Sequence, residues 1–110
     1  VVLEKDKAFR EFNGALTENY AAQALKVNGF DKLYYWTSGN MAEVDFLVPM
    51  NETIIPLEVK SGYSKQKKSL RVYTDRYHPK KISRTSLWNL KKDGALENYP
   101  LYLLNKFPII

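Results

Sequence analysis

Alternation of apolar and polar residues is the clearest pattern in the middle of this chain. Residues 42–48 and 54–61 each alternate over the length of a strand, and residues 50–53 between them predict a hairpin loop. The two segments therefore predict neighbouring antiparallel strands with one apolar face. That face holds Val44, Phe46, Val48, Leu57 and Val59, and the opposite face holds Glu43, Asp45, Leu47, Glu58 and Lys60.

Two further segments have the composition and spacing of helices. Residues 15–27 are rich in Ala, Leu, Gln and Lys, and Gly29 supplies a signal for the helix to end. A second helix is expected from Ser64 to about residue 78, where Pro79 stops it. The first helix has two adjacent stripes, one of Phe12, Leu16 and Tyr20 and the other of Ala15, Ala22 and Leu25.

The remaining segments complete a mixed α/β pattern. Residues 33–37 and 82–87 predict strands, Asp93-Gly94 predicts a turn, and residues 101–104 predict a short late strand. The order is helix, three strands, helix, strand and one late strand. We therefore expect an α/β domain with a mixed sheet and flanking helices, in a single domain over residues 1–110.

Composition excludes several classes of protein. The 110 residues contain no cysteine, so a disulfide scaffold, a cysteine zinc site and a thiol nucleophile are excluded. No Walker A pattern exists among the five glycines, so this chain is not itself a P-loop ATPase. No apolar run approaches the ~18 residues of a membrane span, which favours a cytoplasmic protein without a membrane partner. A first residue of Val1 favours a processed or excised part of a longer protein.

Charge is distributed unevenly along the chain. The net charge is +5, but residues 60–92 hold eleven basic residues and one acidic residue, a net charge of +10. Such a segment predicts a polyanionic partner such as nucleic acid, and a solvated lysine-rich face is the alternative. The residues expected to contact a phosphate backbone are Lys65, Lys67, Lys68, Arg71 and Arg84.

Asp45 and Glu58 form the most informative pair. With the hairpin centred between residues 51 and 52, they lie directly opposite each other, with Cβ atoms about 4.5–5.5 Å apart. Two like charges in this position repel unless a cation lies between them, and Mg²⁺ takes carboxylate ligands of this kind. Lys60 projects from the same face and can orient a water or stabilise charge on a phosphate. The alternative is a surface strand on which Lys60 pairs with Glu43 or Glu58.

Longer sequence segments around these residues resemble those of a known group of proteins. Asp45, followed after thirteen residues by Glu58-Val59-Lys60, resembles the motif of the PD-(D/E)XK nuclease superfamily, whose core is restriction-endonuclease-like. Within it, the chain is most similar to the uncharacterised C-terminal domain of predicted bacterial and archaeal AAA+ ATPases. The phrases that carry this similarity read GALTENY at 14–20, LYYW at 33–36, EVDF at 43–46 and IPLEVKS at 55–61.

The resemblance implies a role for each site residue. It implies that Asp45, Glu58 and the backbone carbonyl of Val59 ligate Mg²⁺ or Mn²⁺, and that Lys60 is the catalytic lysine. It further implies that Glu18 is the acidic residue that the first helix adds to the site. Glu18 has an alternative explanation, since a glutamate in the first turn of a helix is favoured by the helix dipole.

Two functions from different classes remain open after the sequence alone. The first is a metal-dependent nuclease domain, accessory to an ATPase module on the same full-length chain. The second is a catalytically silent domain that binds nucleic acid or protein and regulates that ATPase. Opposed carboxylates favour the first, because a binding domain has no evident need for them.

Overall fold

The first helix is longer than the sequence predicts. The computed structural model of the chain describes residues 2–39, 42–60, 68–86 and 89–109, with side chains from residue 14 onward except that of Lys68. Helix α1 spans Val2–Val27 without interruption. It ends where predicted, because Gly29 has a φ of 110°, which glycine adopts without a Cβ clash. No described helix, α1 included, is long and apolar enough to cross a membrane.

The buried face of α1 differs from one of the predicted stripes. Ala21 and Leu25 are fully buried and contact the sheet side of the molecule, with one helical turn between them. Leu16 and Tyr20 are about half exposed, at 52% and 50%, so the predicted stripe through them is wrong. The half-exposed Leu16 and Tyr20 lie outside this contact.

The described residues form a mixed sheet of six strands, β1 Tyr34–Thr37, β2 Glu43–Met50, β3 Thr53–Val59, β4 Ile82–Ser86, β5 Lys91–Asp93 and β6 Leu96–Pro100, with helix α2 at Lys68–Tyr77. The strand order in the sheet is β1-β2-β3-β4-β6-β5. Strands β1 to β3 are antiparallel, β4 lies parallel to both β3 and β6, and β5 pairs antiparallel with β6. Helix α2 connects β3 to β4, as a parallel pair requires. The predicted α/β class and the order of its first six elements are confirmed. The predicted helix cap, Ser64, lies outside the described residues, and so does Leu87 at the end of the predicted fourth strand.

The β2–β3 hairpin has the predicted register. Asn51 and Glu52 form a two-residue turn, both with positive φ, as in the tight turns that suit twisted strands. Phe46 pairs with Leu57, and the same spacing continues to the turn. The paired residues are Phe46 with Leu57, Leu47 with Pro56, Val48 with Ile55, Pro49 with Ile54 and Met50 with Thr53.

The end of the chain differs from the prediction. The expected late strand at 101–104 is wrong, because Leu101–Lys106 is a 3₁₀ helix and the strand β6 comes before it. All five residues of β6 are buried, and two of them are Glu97 and Asn98. The Glu97 and Asn98 side chains accept hydrogen bonds from Tyr99 and Arg84, respectively. A pattern of apolar residues does not predict buried polar pairs of this kind. The turn predicted at Asp93-Gly94 lies one residue later, at Gly94-Ala95, with Gly94 at a φ of 61°, and Asp93 ends β5.

Two apolar clusters hold the sheet between its flanking helices. The larger cluster joins α1 and the 3₁₀ helix to the sheet, and the smaller joins α2 to it. The buried members of the smaller cluster are Val44, Leu70, Tyr73 and Leu96. Those of the larger cluster are Ala21, Leu25, Phe46, Val48, Ile55, Leu57, Tyr99, Leu104 and Phe107.

Candidate metal and nucleic-acid site

A β-bulge in β2 positions the first carboxylate. Tyr35 of β1 faces two residues of β2, Asp45 and Phe46, because the register shifts between the pairs on either side. A bulge of this kind bends the strand and redirects a side chain, and bulges are common beside functional sites. The flanking pairs are Tyr34 with Leu47 and Trp36 with Val44.

The bulge also corrects the predicted faces of β2. Val44, Phe46 and Val48 are all buried, as expected, but they do not share one face. Val44 packs with Leu70 and Tyr73 of α2, whereas Phe46 and Val48 pack in the cluster that contains α1. One extra residue in the strand reverses the alternation before it, which simple alternation could not predict.

Asp45 is tied to the end of β3 by a hydrogen bond. The Val59 backbone N–H donates to Asp45 Oδ2 over 2.8 Å. The backbone pairing of β2 with β3 ends at Phe46 and Leu57. The bond from Val59 to Asp45 therefore holds the two strands together beyond the last backbone pair. Since the N–H and C=O of one extended residue point to the same neighbouring strand, the Val59 carbonyl also faces the Asp45 side.

Glu58 is buried beside Asp45. Only 6% of Glu58 is exposed, and its side chain shares a hydrogen bond with Asp45. Burial, followed by this bond and the charge of Asp45, raises the pKa of Glu58 from 4.5 to about 9. This shift favours the protonated form of Glu58 in the folded chain, which can donate that hydrogen bond to Asp45. The structure thus brings the two carboxyl groups together, as the hairpin register predicts.

Lys60 lies directly after β3 and completes the cluster. Its backbone N–H donates to the Thr85 carbonyl of β4 over 2.9 Å, which fixes the chain where β3 leaves the sheet. The charge of Lys60 acts against the other influences and lowers the pKa of Glu58. The ammonium group is therefore close enough to affect Glu58. The structure brings together Asp45, Glu58 and Lys60.

Glu18 reaches the same region from α1. Partial burial, and then the charges of Asp45 and Glu43, raise the pKa of Glu18 above its ordinary value. Glu18, Glu43 and Asp45 line one open cavity of about 330 Å³. The resemblance predicts Glu18 as a site residue but does not predict Glu43. The position of Glu43, two residues before Asp45 on the same strand, is the feature of the sequence that indicates it.

The predicted basic residues are not all on one surface. Lys65 and Lys67 lie outside the described residues, and Lys68 begins α2 with its side chain outside them. Arg71 is exposed on α2, as predicted. Arg84 is only 8% exposed, and its Nε donates to Asn98 Oδ1 over 3.0 Å. The expectation that Arg84 lies on an open surface is therefore corrected, because it is held inside the fold by β6.

One family model matches most of this chain. A family model described as a domain of unknown function (DUF4143) matches residues 13–103. The chain belongs to this family. DUF4143 domains are commonly found at the C-terminus of AAA-ATPase-like proteins. Searches of the curated proteins and of the solved structures gave no significant match.

The donor set of this DUF4143 domain fits a hard divalent cation with few protein ligands. Among the residues that the structure describes, no group of three Asp, Glu, His or Cys side chains is arranged to hold a metal ion. Mg²⁺, however, is commonly bound through one or two carboxylates, with water and substrate phosphate as the other ligands. Asp45 and the buried Glu58 supply two converging carboxyl groups, and the Val59 carbonyl faces the same side.

Proposed function

We propose that this DUF4143 domain is a metal-dependent nuclease that hydrolyses phosphodiester bonds in nucleic acid. Its substrate would be the DNA handled by an ATPase module on the same chain, in the cytoplasm. The observation that carries the proposal is the convergence of Asp45, the buried Glu58 and Lys60 at the end of β3. Burying Glu58 against the half-buried Asp45 is costly in a purely structural domain. The match of these residues to the PD-(D/E)XK motif supports the same function.

Asp45, Glu58 and the Val59 carbonyl are the residues that would hold Mg²⁺ or Mn²⁺. A bound ion of this kind polarises a phosphoryl oxygen and lowers the pKa of a water molecule. Glu58 would release the proton that it shares with Asp45 on becoming a ligand, because carboxylates bind metal in the ionised form. The hydrogen bond from Val59 N–H keeps Asp45 in place throughout.

The remaining residues act on the substrate. Lys60 provides a positive charge next to the carboxyl pair, where it stabilises negative charge that develops on the phosphate. Glu18 faces the cavity beside Asp45 and can accept a hydrogen bond from an attacking water. Arg71, exposed on α2, would contact the phosphate backbone outside the site.

A cleavage assay tests this function. The chain is incubated with single-stranded, duplex and branched DNA and with RNA, in Mg²⁺, Mn²⁺ or EDTA. We expect metal-dependent cleavage that Lys60→Ala reduces by about 10²–10³-fold, the usual effect of removing a group that stabilises transition-state charge. Lys92→Ala is the matched control, because Lys92 is an exposed lysine on β5 at the far edge of the sheet. Cleavage by Lys60→Ala at the wild-type rate would contradict the mechanism.

Metal binding is tested separately from activity. Mg²⁺ should raise the melting temperature of the wild-type chain, and Asp45→Asn should remove that increase. Glu52→Gln serves as the control, because Glu52 is exposed in the β2–β3 turn, away from the end of β3. Metal-independent binding of nucleic acid without cleavage would instead favour a catalytically silent domain that regulates the ATPase.

A further inference from the structure

Two tyrosines are exposed on the edge strand next to the carboxyl groups. Tyr34 is 49% exposed and Tyr35 is 70% exposed, on β1, which has β2 as its one neighbour in the sheet. Within the described part of the chain, neither ring packs against another aromatic ring and neither hydroxyl has a hydrogen-bond partner. Two large, rigid aromatic rings are therefore open to solvent.

The third aromatic residue of β1, Trp36, differs from the two tyrosines because it packs against helix α2. The ring of Trp36 packs edge-on against Tyr73 and Tyr77, with centroids 5.3 Å and 6.1 Å away. Its Nε1 donates to the Tyr77 hydroxyl over 3.3 Å. Trp36 thus anchors β1 to α2, and the packing of the strand does not require the tyrosine rings.

Both tyrosines line the cavity that contains Asp45. The bulge places Asp45 opposite Tyr35, so the exposed ring adjoins the carboxyl group that the proposed function assigns to the metal. The cavity of about 330 Å³ is close to the lower limit of roughly 300–1,000 Å³ that small-molecule sites occupy. It has room for one flat ring system.

Charge determines which part of a nucleotide can occupy this cavity. Glu18 and Glu43 also line it and are not among the proposed metal ligands, so their carboxyl groups repel a phosphate. A base is neutral, its flat face stacks on a tyrosine ring, and its amino group can donate to a carboxylate oxygen. A base inside a duplex cannot present that face, because both of its faces are stacked on neighbouring base pairs.

We propose that Tyr35 is a stacking platform for one unpaired base, so that the domain binds single-stranded or frayed nucleic acid. This inference rests on the proposed nuclease function and names its substrate class. The base lies over β1, while the adjoining phosphate lies toward Lys60 and the carboxyl pair. A fully paired duplex lacks the exposed base face that Tyr35 would recognise.

Binding of short oligonucleotides tests the platform without requiring cleavage. Affinities are measured in Ca²⁺ for a single-stranded 12-mer of deoxycytidine and for a blunt 12-base-pair duplex, using the 110-residue chain. We expect Tyr35→Ala to weaken single-strand binding by about 10-fold, the typical effect of losing one stacked base. Tyr35→Phe should retain the affinity, because it keeps the ring. Tyr102→Ala should also retain it, because Tyr102 is 67% exposed but does not line the cavity.

The possible outcomes separate this inference from the function on which it rests. Equal affinities for Tyr35→Ala and Tyr102→Ala, or duplex cleavage that Tyr35→Ala leaves unchanged, would overturn the platform and leave the nuclease function standing. Single-strand binding that depends on Tyr35, without cleavage of any substrate, would support the platform and count against the nuclease. Binding of tetramethylammonium by the cavity, with no binding of the oligonucleotide, would show a cation site and overturn the platform.

Discussion

Replacing Glu58 with glutamine tests whether a buried proton is shared between two carboxyl groups. An amide is neutral at every pH and can still donate a hydrogen bond to Asp45, so Glu58→Gln mimics the protonated side chain. Because folding raises the pKa of Glu58 from 4.5 to about 9, the folded chain holds a proton that the unfolded chain releases. The resulting stabilisation is complete below pH 4.5 and is lost as the pH rises through about 9.

The size of the effect follows from one proton. Between these two pKa values, the free energy of unfolding of the wild-type chain falls by about 1.4 kcal/mol for each pH unit through Glu58. From pH 5 to pH 8 the loss is about 4 kcal/mol, and Glu58→Gln does not incur it. The variant should therefore be clearly more stable than the wild-type chain at pH 8, with a much smaller difference at pH 5.

Urea unfolding followed by circular dichroism measures this difference. The experiment is run at half-unit steps from pH 5 to pH 8.5, with EDTA present to keep divalent cations away from the carboxyl pair. Glu52→Gln, in the exposed turn, should follow the wild-type curve. Parallel curves for Glu58→Gln and the wild-type chain would refute the reasoning, because Glu58 would then be ionised in the folded chain.

Four further substitutions test the fold and the basic surface. Leu25→Ala should lower the free energy of unfolding by about 2–5 kcal/mol in urea unfolding, and Leu16→Ala by less than about 0.5 kcal/mol, since the first is buried and the second half exposed. Comparable losses would contradict the assigned face of α1. Lys81→Met should cost roughly 1–2 kcal/mol in the same assay, because the buried Glu97 loses the ammonium 3.7 Å away. Arg71→Ala should weaken nucleic-acid binding about equally for all sequences and reduce the slope of log K against log salt by about 0.9, measured by fluorescence anisotropy. An unchanged slope would exclude a phosphate contact at Arg71.

The central hairpin could be predicted from the sequence because its determinants are local. A two-residue turn fixes which residues of the two strands face each other, and the apolar alternation is consistent with only one register. The approach of Asp45 to Glu58 follows from that register. The order of the elements was predictable for a similar reason, since a helix between two strands favours a parallel connection.

The features that could not be predicted depend on contacts between distant segments. The bulge that moves Val44 to the α2 side arises from the pairing of β2 with β1 and leaves no mark in the alternation of β2 itself. Arg84 is buried because Asn98, fourteen residues later, accepts its hydrogen bond. The charge of the surrounding segment suggested an exposed position, but a partner on β6 provides a place for the side chain inside the fold.

The two edges of the sheet differ in their protection against self-association. Strand β5 has only three residues, all exposed, and two of them are Lys91 and Lys92, which oppose pairing with another chain. Strand β1 has no lysine, and its sequence is Tyr-Tyr-Trp-Thr. Among the described residues β1 pairs only with β2, so its other edge and its aromatic side chains make it the place where a second strand would add. A lysine at the exposed Thr37 would oppose such pairing, as Lys91 and Lys92 do on β5.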